Sequence, residues 1–105
     1  MAQTLDPPYY AVIFSNQRRE DNQGYETMAA RMEALARRQP GFLGLESARN
    51  DEGFGITVSY WKNLDAIRRW KDHAEHQVAQ RLGREKWYQT YCLRICRVEH
   101  ESVWG

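Results

Sequence analysis

The chain has 105 residues, enough for one domain with a modest hydrophobic core. Its formal net charge is only +1, with acidic and basic residues interspersed. This balance gives no attraction to nucleic acid or to an anionic membrane surface. No apolar run is long enough for a membrane span, and the first residues lack a signal-peptide pattern. We therefore expect a globular protein that binds neither nucleic acid nor membrane.

The two cysteines, Cys92 and Cys96, lie four residues apart in a segment that we interpret as a strand. That spacing separates them by roughly 13 Å, too far for a disulfide between them. We interpret both as small buried apolar residues. Two thiols without a disulfide framework predict a cytoplasmic protein.

The N-terminal part of the chain predicts a tail, a strand and a helix. Residues 1–8 end in Pro7-Pro8 and are expected to form a flexible tail. Residues 9–16 predict a strand that is apolar on both alternating faces and so needs cover on both sides. Asp21 or Asn22 is a candidate helix cap. The helix that follows has an apolar stripe at helical spacing and ends at Pro40-Gly41; the stripe consists of Tyr25, Met28, Ala29, Met32, Leu35 and Ala36.

A hairpin and a second helix are predicted next. Residues 42–49 and 54–61 are two strands joined by the polar turn 50–53. Asn63 is a candidate cap for the second helix. We expect this helix to break near Ala74, to resume over residues 77–82 and to end at Gly83; its inner stripe is Ala66, Ile67, Trp70 and Ala74, and its solvent face is Arg68, Arg69, Lys71, Asp72 and Glu75.

The last predicted strand, residues 91–98, follows a linking turn that contains Trp87 and Tyr88. The order β-α-β-β-α-β predicts an α+β fold of the ferredoxin-like type, an antiparallel sheet with both helices on one face. We assign this domain to residues 9–100 and a C-terminal tail to residues 101–105. The opposite sheet face would be largely apolar, which predicts a homodimer that packs sheet against sheet.

Three segments stand out along the chain: Gln39-Pro40-Gly41-Phe42, Tyr60-Trp61-Lys62-Asn63-Leu64-Asp65-Ala66 and Trp70-Lys71-Asp72-His73-Ala74-Glu75-His76. With them the chain resembles the antibiotic biosynthesis monooxygenase family, and the resemblance extends over about residues 9–100. The resemblance implies a dimeric α+β barrel with a pocket between helices and sheet in each subunit. It also implies oxidation of phenolic or quinone-like substrates by dioxygen without flavin, haem cofactor or metal.

A related branch of the family binds haem as a substrate and degrades it. The resemblance to that branch aligns Asn16 and Trp70 with two of its site residues. The position of the iron-binding His corresponds to Gln80 in this chain, and His76 lies about one helical turn earlier. The haem branch is therefore an alternative in which His76 would have to act as the ligand.

The candidate site residues come from these segments, from the end of the first strand and from the last part of the chain. Asn16 is a candidate hydrogen-bond donor to a substrate hydroxyl or oxyanion, and Trp70 is a candidate stacking surface for a planar substrate. His73 or His76 is a candidate general base, because imidazole titrates near neutral pH. The predicted substrate-binding residues are Tyr60, Trp61, Tyr88 and Arg94. His73 and His76 alone do not form a metal site, so no metal is expected.

Three functions follow from this reading. The first is a cofactor-independent monooxygenase that oxidises a small electron-rich aromatic compound. The second is a haem-binding or haem-degrading monooxygenase. The third is a dimeric module that binds a small molecule without chemistry.

Overall fold

The computed structural model describes residues 5–19, 25–76 and 88–105. Its elements are β1 (Tyr9–Arg18), α1 (Tyr25–Arg37), β2 (Phe42–Arg49), β3 (Phe54–Trp61), α2 (Leu64–His76) and β4 (Tyr88–Val98). The strands form one sheet in the order β2-β3-β1-β4, and every neighbouring pair is antiparallel. This arrangement confirms the predicted ferredoxin-like α+β fold.

The register of β1 against its neighbours separates two faces of the sheet. Directly opposed residues of antiparallel strands point to the same side. Val12 lies opposite Ser59 and Ile95 and packs with α2 residues in the core, so this side is the helix-covered face. The helix-covered face carries Tyr10, Val12, Phe14, Asn16, Gly55, Thr57, Ser59, Trp61, Tyr91, Leu93 and Ile95. The outer face carries Tyr9, Ala11, Ile13, Ser15, Phe54, Ile56, Val58, Tyr60, Cys92, Arg94 and Cys96.

The hydrophobic core lies between the helices and the helix-covered face. Its buried members are Val12, Ala36, Trp61, Ala66 and Ile67, and Tyr10, Phe42, Trp70 and Leu93 pack against them. The predicted inner stripe of the second helix is confirmed where the structure describes its side chains. Burying a large apolar side chain contributes about 1.5–3 kcal/mol, so this cluster fixes α2 on the sheet.

The N-terminus of α2 is capped as predicted. The Ala66 backbone N–H donates to Asn63 Oδ1 at 2.8 Å, which satisfies one of the free donors of the first turn. The side chains predicted for the solvent face and described by the structure are exposed; they are Arg68, Arg69, Lys71 and Asp72. The predicted caps Asp21 and Asn22 and the predicted continuation over residues 77–82 lie outside the described residues.

Gly41 joins α1 to β2 at a point of close contact with α2. Its φ is 88°, a left-handed conformation that favours glycine. A Cβ at this position would lie 2.7 Å from the Cβ of the buried Ala66. The Gly41 carbonyl also accepts a hydrogen bond from the Lys62 N–H at 2.8 Å. Gly41 therefore lets the end of β3 and the start of α2 pack against the α1–β2 connection.

Two strand boundaries and one burial prediction were wrong. β1 continues two residues beyond Asn16, because Gln17 pairs with Phe54 and Arg18 pairs with Tyr88 across a bulge. Tyr88 is therefore the first residue of β4 and does not belong to a linking turn. Cys92 and Cys96 are free thiols, but Cys96 is exposed because it lies on the outer face.

Glu101 connects the two ends of the described chain. Its carboxylate accepts hydrogen bonds from the backbone N–H of Leu5 and from the hydroxyl of Tyr9, the latter at 2.6 Å. Residues from both predicted tails thus make specific contacts next to the start of β1.

Candidate functional site

Asn16 is the most buried polar side chain on the helix-covered face. It lies near the end of β1, opposite Gly55 of β3 and Tyr91 of β4, and it is only 2% exposed. Its Oδ1 accepts a hydrogen bond from Arg49 Nη2 at 2.7 Å. A buried side-chain amide at this depth requires partners for both its oxygen and its nitrogen.

Arg49 reaches Asn16 from the end of β2 by crossing Gly55. Arg49 lies directly opposite Gly55 in the sheet, and a Cβ on Gly55 would lie 2.6 Å from the Arg49 Cζ. The guanidinium also donates to the carbonyl of Gly53 in the β2–β3 turn. The sequence reasoning missed Arg49, although a glycine within an alternating strand is a known sign of a close approach.

The contact with Arg49 fixes the orientation of the Asn16 amide. A guanidinium has donors and no acceptor, so the amide atom that it contacts must be the oxygen. Asn16 Nδ2 therefore points away from Arg49. Among the residues that the structure describes, no acceptor forms a hydrogen bond with this buried nitrogen. An unsatisfied buried donor costs about 1–3 kcal/mol, and a ligand oxygen would satisfy it.

Trp70 supplies a second donor of this kind. It is half-buried on α2 and its ring packs on that of Trp61, with centroids 5.5 Å apart and planes inclined by 40°. The indole Nε1 of Trp70 is buried, and it too has no acceptor within the described part of the chain. The indole N–H of a buried Trp usually has a hydrogen-bond partner, and a ligand oxygen would supply one.

Trp61 differs from Trp70 both in its burial and in the hydrogen bonding of its indole N–H. It is fully buried, and its Nε1–H donates to Ser59 Oγ at 2.9 Å. Its ring meets that of Phe42 edge-on, with centroids 5.4 Å apart. Trp61 lies six residues along β3 from Gly55, roughly 20 Å from the Asn16 end of the face. The structure thus places Trp61 in the packed core and not beside Asn16.

The helix-covered face between Asn16 and Trp61 forms the floor of the candidate site, and this floor is apolar and partly exposed. Phe14, Thr57, Tyr91 and Leu93 are half-buried on the helix-covered face. The rings of Phe14 and Tyr91 contact each other with centroids 5.6 Å apart. A face with aromatic side chains and a few fixed polar donors is typical of sites for small planar ligands.

Of the remaining predicted site residues, the structure describes the side chains of Tyr60, Arg94 and His73. Tyr60 and Arg94 lie on the outer face, so they cannot line the same pocket as Asn16 within one subunit. The Tyr60 hydroxyl instead donates to Glu46 Oε2 at 2.7 Å, and burial and this contact raise the Tyr60 pKa to about 12. His73 is exposed on α2. The side chains of His76 and Tyr88, and the whole of Trp87 and Gln80, lie outside the described residues.

Within residues 5–19, 25–76 and 88–105, no three His, Cys, Asp or Glu side chains are grouped so that they could hold a metal ion. Neither α1 nor α2 is long and apolar enough to cross a membrane, as far as the described residues extend.

Known proteins with similar sequences and structures agree with this fold. Residues 8–82 match the family model of antibiotic biosynthesis monooxygenases. The chain is 50% identical over 103 residues to the uncharacterised protein YqjZ of Bacillus subtilis, with 98% of this chain and 90% of that protein covered.

Two solved structures illustrate the shared architecture. The cofactor-independent oxygenase SnoaB of Streptomyces nogalater superposes with a TM-score of 0.75 at 18% identity, over 90% of this chain and 97% of that one. A conserved protein of Methanosarcina mazei gives a TM-score of 0.74 at 13% identity, over 86% of this chain and 92% of that one. At these identities the structures support the fold, whereas the sequence matches establish descent. The chain therefore belongs to the antibiotic biosynthesis monooxygenase family.

Proposed function

We propose that the protein is a monooxygenase that oxidises a small electron-rich aromatic compound, such as a phenol or a quinone-like compound, with dioxygen and without a cofactor. The observation that carries this proposal is the pair of buried donors on the helix-covered side, Asn16 Nδ2 and Trp70 Nε1, neither of which has an acceptor among the described residues. Two N–H donors separated by an apolar aromatic surface suit a planar ligand that carries oxygen atoms.

In this proposal, Asn16 binds the anionic oxygen of the substrate, and Trp70, whose ring packs on Trp61 towards the other end of the face, contacts the far end of the ring system. Asn16 Nδ2 donates to a phenolate or enolate oxygen and so favours loss of the substrate proton. The indole of Trp70 stacks on the ring system or donates to a second oxygen. His73, which follows Trp70 by three residues on the exposed side of α2, is our candidate for the group that removes the proton.

The proposed reaction needs only the substrate and dioxygen. A ring CH₂ group activated by the phenolate gives up its two hydrogens and four electrons. One oxygen atom becomes the new ring carbonyl, and the other leaves as water with both hydrogens. The substrate anion supplies the first electron to dioxygen, so the chain has to exclude water and hold the ring, which the core around Trp61 and Ile67 favours.

Oxygen uptake by the purified protein tests this proposal. Wild-type protein with a hydroxyanthrone and a metal chelator should consume one O₂ per substrate and form the quinone without added flavin or metal. Asn16→Ala should lower kcat about 100-fold, as expected for loss of a donor to a developing anion. Trp70→Phe, which keeps a ring but removes the N–H, should lower kcat about tenfold.

Matched variants separate chemistry from folding. Trp104→Phe changes a tryptophan that is 95% exposed and should leave kcat unchanged. His73→Ala with unchanged kcat would remove His73 from the mechanism. Ligand binding without oxygen uptake would favour the alternative of a non-catalytic binding module, and a saturable Soret band on addition of haem would favour the haem branch. Either result would contradict the proposed oxidation.

We also propose that the working form is a homodimer that packs outer face against outer face. Two apolar side chains of β3 on that face are substantially exposed, Phe54 at 45% and Ile56 at 40%. Ile56→Asp should therefore shift the sedimentation velocity to that of a monomer. Ile95→Asp is the control, because Ile95 is 46% exposed but lies on the helix-covered face. A dimer that persists in Ile56→Asp would contradict this interface.

The proposed location is the cytoplasm. Cys92 and Cys96 are both free thiols, which is the state that a reducing compartment maintains. Fractionation of cells that produce the untagged protein would test this, and recovery outside the cytoplasm would contradict it.

A further inference from the structure

We propose that Arg49 is a positioning residue that makes the Asn16 end of the helix-covered face selective for anionic aromatic oxygens over neutral ones. This inference rests on the proposed function, because it assumes that an aromatic ligand binds on that face. It assigns a role to a residue of β2 that lies 33 positions from Asn16 in the sequence.

The first step of the argument is the chemistry of the amide. An asparagine amide can present either its oxygen or its nitrogen to a ligand, and its orientation decides which ligand atom is accepted. Arg49 Nη2 occupies the Asn16 oxygen at 2.7 Å, so only the N–H₂ group remains for the ligand. A site that offers only donors binds a deprotonated oxygen better than a hydroxyl, because the hydroxyl is itself a donor and finds no acceptor there.

The second step is the charge of the guanidinium. Arginine stays protonated at all physiological pH values, so its charge polarises the amide that it contacts. Polarisation makes the Asn16 N–H₂ group a stronger donor to an anion. Replacing Arg49 by a neutral side chain of similar length would remove both the orientation and the polarisation.

The third step is the room that Gly55 leaves for this arrangement. Any side chain at position 55 would meet the Arg49 guanidinium, since even a Cβ would lie 2.6 Å from Cζ and 2.8 Å from Nη2. Gly55 is itself buried on β3. Gly55→Ala therefore displaces the guanidinium without changing the charge of the protein, which makes it an independent variant for the same contact.

A purely structural role for Arg49 has to be separated from this one. The guanidinium also donates to the carbonyl of Gly53, so Arg49 braces the turn between β2 and β3. Loss of the brace alone would lower thermal stability. It would leave the ligand preference of the site unchanged, and the experiment therefore measures that preference directly.

The experiment uses alizarin, a hydroxyquinone dye whose phenol and phenolate forms differ in colour. The dye is titrated with full-length wild-type protein at one fixed pH at which both forms are present in solution. The absorbance of the bound dye gives the ratio of phenolate to phenol in the site. Arg49→Gln, Arg49→Lys and Gly55→Ala are compared with Gly44→Ala, the control on β2, where an added Cβ makes only ordinary contact with the Tyr60 ring at 3.7 Å.

We expect the wild-type protein and Gly44→Ala to bind the dye as phenolate. The phenolate-to-phenol ratio should fall about tenfold in Arg49→Gln and in Gly55→Ala, the size of one charge-assisted hydrogen bond. Arg49→Lys should restore part of the preference, because it keeps the charge but not the planar fork. The side-chain N–H₂ resonance of Asn16 in the free protein should move in all three variants and stay in place in Gly44→Ala.

Two results would overturn the inference in distinguishable ways. A bound-dye ratio in Arg49→Gln and Gly55→Ala equal to that of the wild type would overturn the role of Arg49 and leave the proposed function in place. Failure of the wild-type protein to bind alizarin or a hydroxyanthrone at all would overturn the proposed function, and this inference with it.

Discussion

The outer face and the helix-covered face of the sheet differ in whether their polar side chains have hydrogen-bond partners. On the outer side the Tyr9 hydroxyl donates to Glu101 at 2.6 Å and the Tyr60 hydroxyl donates to Glu46 at 2.7 Å. On the helix-covered side, Asn16 Nδ2 and Trp70 Nε1 are buried without an acceptor in the described part of the chain. The fold thus provides a carboxylate acceptor for each of these two tyrosine hydroxyls, whereas the two buried N–H groups have none among the described residues. In the proposed function the two unsatisfied donors bind the ligand, whereas the paired hydroxyls stabilise the fold.

The largest loss of stability is expected at Gly41, which holds the helices against the sheet. Gly41→Ala should lower the free energy of unfolding by about 2–4 kcal/mol, because it adds left-handed strain and a clash with the buried Ala66. Urea unfolding followed by circular dichroism measures this loss. Gly53→Ala, with the same φ of 88° but no core contact, should cost only about 1–2 kcal/mol. Equal losses would show that the Ala66 contact is unimportant.

The two tryptophans on the helix-covered side, Trp61 and Trp70, should contribute differently to stability. Trp61→Phe should cost about 2–3 kcal/mol of stability, since it leaves a void and deprives Ser59 of its buried donor. Trp70→Phe should cost less than about 1 kcal/mol, because its N–H has no described acceptor to lose. Chemical denaturation of both variants tests this order. A larger stability loss for Trp70→Phe would mean that its indole is structural.

The outer face should respond to alkaline pH. The hydrogen bond to Glu101 and burial raise the Tyr9 pKa to about 12, compared with 10.0 for a free tyrosine. The folded state thus retains the phenol proton more strongly than the unfolded chain does. The stabilisation is complete below pH 10 and is lost as the pH rises from 10 towards 12. Tyr9→Phe should cost about 1.5 kcal/mol at neutral pH, and its stability should converge with that of the wild type in this range. A constant difference up to pH 12 would contradict the assignment.

The smallest expected effect concerns the cap of α2. Asn63→Ala should lower the free energy of unfolding by about 1 kcal/mol, through loss of the hydrogen bond to the Ala66 N–H. Its kcat should equal that of the wild type at temperatures where the protein is folded, because the cap lies at the start of α2 and not among the unsatisfied donors. A large loss of kcat with stability intact would indicate that the position of α2 is adjusted more finely than its packing requires.

Local sequence patterns predicted the elements well, because each depends on neighbouring residues. Alternation found β3, and the Asn63 cap and the stripe through Ala66 and Ile67 found α2. The same alternation explains one error, the placement of Tyr60 and Trp61 in a single pocket. Adjacent residues of a strand point to opposite faces, and the structure places these two on opposite sides of the sheet.

The site itself depended on contacts that no local pattern encodes. Arg49 and Asn16 meet across an intervening strand, and the contact exists only because Gly55 leaves space. Asn16 was predicted as a site residue from the family resemblance, but its partner was not. Arg94 was interpreted as a pocket residue because it interrupts an apolar strand, whereas its pairing with Ile13 places it on the outer face.

The strand order also has a consequence for synthesis on the ribosome. β1 lies between β3 and β4, so the first strand to emerge acquires its second neighbour only from the last strand. Until β4 is made, β1 is an edge strand with apolar residues on both faces and unpaired backbone groups. Such an edge is a template for pairing with another chain. We therefore expect nascent or truncated copies without residues 88–98 to aggregate. Binding of chaperones to the nascent chain should stop once β4 has paired with β1.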